Sequence, residues 1–227
     1  MKTFVKFGMG FVLGVTCLSA LPLSAALIYD NSSNDLLTRF SPGTHEVGNE
    51  IMLAGTERYL TNFSFEYYGT STGPSFAGTI QARVRFYEND GTPFNGYATP
   101  GTSFFDSGWF SVPAPTSRNT FDFNVGSDFA PGGLYIPVSD MTWTVQFQGM
   151  GTGDDVGVDI YAPPTVGAAY PDWWDNNGSG WILNSNNITM NFASRFQATI
   201  PEPSSVTLAV LGGFGFLLAG RRLRRQS

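Results

Sequence analysis

Alternation of apolar and polar residues, repeated along most of the chain, limits what this sequence can fold into more than any other feature. Successive side chains of a β-strand point to opposite faces, so a period of two predicts a strand with one buried and one hydrated face. No segment carries the apolar stripe of period 3.6 that an amphipathic helix needs. The clearest alternating segments are residues 61–67, 80–86, 121–125, 141–148, 156–160 and 190–200.

Weaker strand candidates occupy four further segments, and clusters of Gly, Pro, Asn and Asp separate many of them. Short strands joined by turns at this spacing describe two packed antiparallel sheets. The sequence therefore predicts an all-β fold, an antiparallel β-sandwich of jelly-roll-like form, over residues 27–200. The weaker segments are residues 27–29, 50–53, 104–110 and 134–138.

The predicted sandwich is strongly acidic. Residues 27–200 hold six arginines and no lysine against 17 of the chain's 18 acidic residues, so their formal charge is 6 minus 17, or −11. Such a charge repels nucleic acid and anionic membrane surfaces, so neither is expected as a partner of this domain. The only cysteine, Cys17, lies before the domain, which can therefore form neither a disulfide nor a thiolate metal site.

Residues 1–26 have the composition of a secretory signal peptide. Two lysines precede an apolar stretch over residues 7–21, and small residues follow it. A basic start, an apolar middle and a small-residue end are typical of a segment that signal peptidase removes. Cleavage after Ala25 or Ala26 is predicted, and the rest of the chain is expected to be exported.

The last 27 residues have three parts in order. Pro201 and Pro203 flank Glu202, and prolines at this spacing end a preceding strand or helix. An uncharged span follows over residues 206–220, and with the residues before it approaches the length of a transmembrane helix. Arginines that follow such a helix stay on the cytoplasmic side of the membrane. These are Arg221, Arg222, Arg224 and Arg225.

This tail resembles the PEP-CTERM sorting signal of Gram-negative and related bacteria, in which a Pro-Glu-Pro motif, an apolar span and a basic cluster follow one another. The resemblance covers residues 201–227. It implies recognition by exosortase, a membrane cysteine protease expected to cut near the motif. It also implies a protein that its C-terminal helix anchors in the membrane before processing, and that afterwards resides at the cell surface or in the extracellular matrix. Hosts of the family usually make exopolysaccharide, which becomes a candidate partner.

Residues 170–181 depart from the alternating pattern, because three of the protein's five tryptophans fall within these twelve residues. Flat rings beside carboxylates and amides suit sugar binding, in which a ring stacks on the pyranose and polar side chains hold its hydroxyl groups. In the alternative interpretation, Trp173 or Trp174 covers the sandwich core and Trp181 begins a strand. The candidate glycan-binding residues are Tyr170, Asp172, Trp173, Trp174, Asp175 and Trp181.

A second candidate site is the Gly-rich segment 151–159, which contains Asp154, Asp155 and Asp159. Ca²⁺ prefers carboxylate oxygens, so a structural calcium ion is the one cofactor that the sequence indicates. The segment lacks the regular spacing of a dedicated calcium loop. A hydrated turn before the strand at 156–160 is therefore the alternative interpretation.

Residue types that carry catalysis are scarce. His45 is the only histidine, no serine lies in a G-x-S-x-G elbow, and zinc would find too few nitrogen ligands. The carboxylate pair of a glycosidase is defined by its separation in space, so a glycan-active hydrolase is a third hypothesis. The sequence favours a non-catalytic structural or adhesive component of the envelope or exopolysaccharide matrix, and a carbohydrate-binding module is the alternative.

Overall fold

The computed structural model describes residues 25–113, 116–185 and 190–200, in which the backbone forms strands and no helix. The predicted signal peptide, except for its last two residues, and the predicted sorting signal lie outside these segments. None of the described residues forms a helix that is long and apolar enough to cross a membrane. The strands are β1 (Ala26–Asn31), β2 (Asp35–Phe40), β3 (Glu46–Met52), β4 (Tyr59–Thr70), β5 (Gln81–Glu88), β6 (Ser103–Asp106), β7 (Phe110–Ser111), β8 (Thr116–Asn124), β9 (Leu134–Tyr135), β10 (Asp140–Gln148), β11 (Asp155–Tyr161), β12 (Ala168–Ala169), β13 (Trp173–Asn176), β14 (Trp181–Asn184) and β15 (Ser194–Thr199).

The strands form two antiparallel sheets. Sheet A has seven strands in the order β1, β15, β4, β11 and β2, with β8 and β9 paired to the other side of the long β4. Sheet B has eight strands in the order β14, β13, β3, β10, β5 and β6, with β12 beside β3 and β7 beside β5. Most neighbouring strands are distant along the chain, so long-range pairing holds the fold together.

Aromatic side chains from both sheets form the core. The ring centroid of Phe63 on β4 lies 5.0 Å from that of Phe86 on β5 and 5.4 Å from that of Trp143 on β10. All three side chains are fully buried, and the burial of one such side chain contributes about 1.5–3 kcal/mol. The inner faces of the two sheets therefore pack on each other, an arrangement consistent with a β-sandwich.

The predicted all-β fold with two antiparallel sheets is confirmed. The six clearly alternating segments contain β4, β5, β8, β10, β11 and β15, and the weaker candidates contain β1, β3, β6 with β7, and β9. The alternation does not predict β2, β12, β13 or β14. Strand β2 lies at the edge of sheet A and is mostly exposed, so no buried face marks it in the sequence.

Candidate functional site

The outer face of sheet B, which points away from sheet A, carries polar and aromatic side chains. Residues opposite each other in an antiparallel pair lie on the same face, so the strand register arranges these side chains in rows across the sheet. Two neighbouring rows occupy the middle of the face. The first contains Trp174, Gly48, Thr144 and Arg85, and the second contains Glu50, Thr142 and Tyr87.

Sheet B curls toward this outer face. Three strands separate Trp181 on β14 from Tyr87 on β5, which would place their strands about 19 Å apart in a flat sheet, yet their ring centroids are 5.7 Å apart. Thr142, Thr144 and Trp174 point to this face and are nevertheless fully buried. The outer face of sheet B is therefore concave, and we call it the concave face.

A buried ion pair crosses the concave face. Glu46 is 5% exposed, and its carboxylate accepts hydrogen bonds from Tyr87 Oη at 2.9 Å and from Thr144 Oγ1 at 2.6 Å. Arg85 Nη1 donates to the same carboxylate. The Nε atom of Arg85 lies 3.5 Å from Oδ2 of Asp106. These contacts connect β3, β10, β5 and β6 and use the charges of the network internally.

Three carboxyl groups meet farther along the concave face, and we call Glu50, Asp140 and Asp172 the carboxyl cluster. Glu50 on β3 lies opposite Thr142 on β10, and Asp140 precedes Thr142 by two residues on the same face. Glu50 and Asp140 are thus diagonal neighbours across two strands. The backbone carbonyl oxygen of Asp172 accepts a hydrogen bond from Asn49 Nδ2 at 3.1 Å, which fixes the chain before β13 beside β3.

The members of the carboxyl cluster disfavour one another's charged forms. Partial burial, then the charge of Asp140, a hydrogen bond shared with Asp140 and the charge of Asp172 raise the pKa of Glu50 to about 7. Burial also raises the pKa of Asp172. The charge of Asp140, burial and the charges of Glu50 and Asp172 raise the pKa of the Tyr170 hydroxyl. Two carboxyl groups can share a hydrogen bond only when a proton lies between them, so the cluster retains a proton below about pH 7.

Replacing Glu50 with glutamine is expected to raise the melting temperature at pH 8 and to change it little at pH 5. The pKa of Glu50 is raised from 4.5 to about 7, so the folded protein keeps a proton that the unfolded chain loses. Stability therefore falls as the pH rises from 4.5 to about 7, and the loss is complete above pH 7. Glutamine is neutral throughout this range and removes the loss. Thermal unfolding followed by circular dichroism measures the effect.

Asp122 provides a matched control for this experiment. It is an exposed carboxylate on β8 of sheet A, on the outer face of the other sheet. Asp122→Asn is expected to change the melting temperature by a similar small amount at both pH values. A gain from Glu50→Gln that is equal at pH 5 and pH 8 would contradict a raised pKa for Glu50.

The structure places two of the predicted sugar-binding tryptophans in buried positions. The ring centroid of Trp173 lies 4.7 Å from that of Phe40, and Trp173 belongs to the hydrophobic core. Trp174 lies opposite Gly48 on the concave face but has no exposed surface. The reason is that β13 pairs with β3 inside sheet B, so this segment is no projecting loop. Neither ring offers a face for sugar stacking in this structure, which corrects the platform expected from the sequence.

The other predicted sugar-binding residues separate into two groups. Tyr170 is 37% exposed and Trp181 is half-buried at the start of β14, and we call these two rings the aromatic edge. Asp172 belongs to the carboxyl cluster on the same side of sheet B. Asp175 lies opposite Val47, whose side chain points to the core side, and its Oδ1 atom is 2.9 Å from Nδ1 of His45. Asp175 is therefore not part of the concave face.

Asp154 of the predicted calcium segment anchors a turn. Its carboxylate accepts hydrogen bonds from the backbone N–H groups of Ala77 at 2.9 Å, Gly78 at 2.8 Å and Gly151 at 2.9 Å. Desolvation opposes the shift, but these donors lower the pKa of Asp154 to about 2. The carboxylate thus connects the segment before β5 to the turn before β11.

Asp155 and Asp159 bind partners elsewhere. Asp155 accepts hydrogen bonds from Ser41 and, at 3.2 Å, from the hydroxyl of Tyr68. Asp159 is buried, and its Oδ1 atom lies 3.3 Å from Nε of Arg39. Within residues 25–113, 116–185 and 190–200, no three His, Cys, Asp or Glu residues are grouped so that they could hold a metal ion. Calcium binding by this segment stays a prediction.

Reasoning from the sequence does not select Glu46, Glu50 or Asp140. Each is a single polar residue in or beside a strand, and the alternating pattern marks every such residue as hydrated. The signal that distinguishes them is the register of β3, β10 and β5, which places them on one face. That register follows from long-range pairing and not from local sequence.

Comparisons of the chain with known protein families, with curated proteins and with solved structures find no match. The functional argument therefore rests on two sources. One is the sequence of the two ends of the chain, and the other is the geometry of the concave face.

Proposed function

We propose that the protein is exported, sorted by exosortase and used as a non-catalytic structural or adhesive component of the cell envelope or exopolysaccharide matrix. The three-part tail at residues 201–227 carries this proposal. Signal peptidase would remove residues 1–26, and the apolar span would hold the chain in the membrane until exosortase cuts near Pro203. The acidic domain between them, for which we propose a jelly-roll-like sandwich, would face the surface or the matrix.

Two features of the described domain support this role. Strand β15 ends at Thr199, two residues before Pro201, so a folded domain would be held close to the processing site. His45, the only histidine of the chain, bonds the carboxylate of Asp175 at 2.9 Å, a pairing that gives no activated nucleophile. A sandwich with an aromatic core and no need of thiols suits an environment outside the cytoplasm.

The intact mass of the protein recovered from its own host tests the sorting proposal. Membrane and medium are analysed separately by mass spectrometry. A chain that begins at Ala26 or Leu27 and ends near Pro203 is the expected result. A chain found only in the membrane and still carrying residues 206–227 would show that the tail is a plain anchor, and the exosortase proposal would be abandoned.

Carbohydrate binding is the second candidate function, and the position of the aromatic edge favours it. Tyr170 is exposed beside the carboxyl cluster, and its hydroxyl lies 3.9 Å from Sδ of Met52 on β3, so the ring stands at the border of the concave face. An exposed ring next to polar groups that accept hydrogen bonds is the arrangement that holds a pyranose. In this proposal the surviving residues of the predicted platform are Tyr170, Asp172 and Trp181, joined by Glu50 and Asp140.

A further inference from the structure

The carboxyl cluster differs from the other acidic groups of the domain because no arginine compensates it. Among the described residues, the ion pairs of arginine go to Asp35, Glu46, Glu66, Asp106 and Asp159, and none includes Glu50, Asp140 or Asp172. The side chain that does reach the cluster is neutral: Asn89 Nδ2 donates to Asp140 Oδ1 at 3.2 Å. The cluster is thus a partly buried negative site with no cation of the described chain beside it.

A buried donor is directed at this cluster. Trp174 has no exposed surface, and its Nε1 atom makes no hydrogen bond of normal geometry within the described part of the chain. The same N–H group lies close enough to Glu50 to favour its ionised form. A buried N–H group without an acceptor costs about 1–3 kcal/mol. Ionisation of Glu50 would give this N–H group the acceptor it lacks, and a cation beside Glu50 would favour that ionisation.

The aromatic edge adds a requirement for shape. Tyr170 presents its ring beside the cluster, and the ring of Trp181 packs at the other side of the same concave face against Tyr87. A flat exposed ring favours the C–H face of a pyranose, whereas carboxylates favour an ammonium group. One ligand chemistry combines both features, namely a sugar that carries a free amino group.

We propose that the carboxyl cluster binds the protonated amino group of an amino sugar within a glycan, with the ring of Tyr170 stacked on the pyranose. This inference rests on carbohydrate binding, the second candidate function, and names the class of glycan. Glu50, Asp140 and Asp172 accept hydrogen bonds from the ammonium group. A metal ion does not fit as the occupant, because these carboxylates are not grouped as metal ligands in the described residues, whereas an ammonium group imposes no fixed coordination geometry.

Isothermal titration of the full-length, detergent-solubilised protein with two sugars at pH 6 tests the proposal. The probes are tetraglucosamine, whose amino groups are free, and tetra-N-acetylglucosamine, in which they are acetylated. We expect the free-amine sugar to bind at least tenfold more tightly. Asp172→Asn and Glu50→Gln should each weaken its binding about tenfold, and Asp122→Asn on sheet A should leave it unchanged. Unchanged melting curves would establish that the variants are folded.

The other outcomes separate this inference from the functions on which it rests. Equal affinity for both sugars would overturn the amino-sugar inference and support general carbohydrate binding. Binding of tetralysine as tightly as tetraglucosamine would overturn recognition of the sugar. Binding of neither sugar by folded protein would overturn both the inference and carbohydrate binding, while the sorting proposal would still be decided by the intact mass.

Discussion

Replacing Phe63 with alanine is expected to lower the free energy of unfolding by about 4 kcal/mol. The ring of Phe63 contacts side chains of both sheets, with centroid distances of 4.7 Å to Phe196 on β15, 5.0 Å to Phe86 and 5.4 Å to Trp143. Phe63 has no exposed surface. Its removal would leave a cavity in the middle of the core that rings on all sides cannot fill without leaving their rotamers. Equilibrium unfolding in urea measures the loss.

Two further variants make this prediction specific. Phe63→Leu keeps most of the buried volume and is expected to cost less than about half as much. Tyr135→Ala removes an aromatic ring that is 55% exposed on β9, and should change stability by less than about 0.5 kcal/mol. A loss below about 1 kcal/mol for Phe63→Ala would contradict the position of this ring between the two sheets.

The all-β fold could be predicted because alternation is a local property of each strand. Strand β10 is the clearest case, since Met141, Trp143 and Val145 are all fully buried in the core, as the pattern requires. The pattern also predicts a hydrated outer face, and here the structure differs: Thr142 and Thr144 are fully buried as well. Curling of sheet B encloses them, and curvature arises from the packing of many strands, which no single segment encodes.

The segment 173–184 shows where local reasoning about a site fails. Two adjacent tryptophans in a polar, Gly-rich segment have the composition of a binding loop, yet β13 and β14 extend sheet B as a hairpin. Trp174 can lie flat across the sheet because Gly48 opposite it has no side chain. A Cβ atom at Gly48 would come within 2.4 Å of the backbone oxygen of Trp143 and 2.6 Å of Cγ2 of Thr144. Composition indicated the aromatic edge at Tyr170 and Trp181, whereas the carboxyl cluster depends on strand register.

Replacing Arg85 with methionine is expected to cost about 3 kcal/mol of stability, because it leaves a buried carboxylate without its cation. The side chain of Glu46 is 7% exposed and that of Arg85 is 16% exposed, so water cannot replace the lost charge easily. Tyr87 and Thr144 would still donate hydrogen bonds to Glu46, but two neutral donors do not compensate a full charge in a partly dry site. Urea unfolding at pH 7 measures the difference from the wild-type protein.

The neighbouring arginine on the same strand is a matched control for this charge. Arg83 pairs with Asp106, whose side chain is 37% exposed, so Arg83→Met should cost less than about 1 kcal/mol. Arg85→Lys keeps a cation beside Glu46 and loses only the planar geometry of the guanidinium group, so a loss of about 1 kcal/mol is expected. If Arg85→Met cost no more than Arg83→Met, the Glu46–Arg85 pair would be hydrated and the concave face would be more open than its buried threonines indicate.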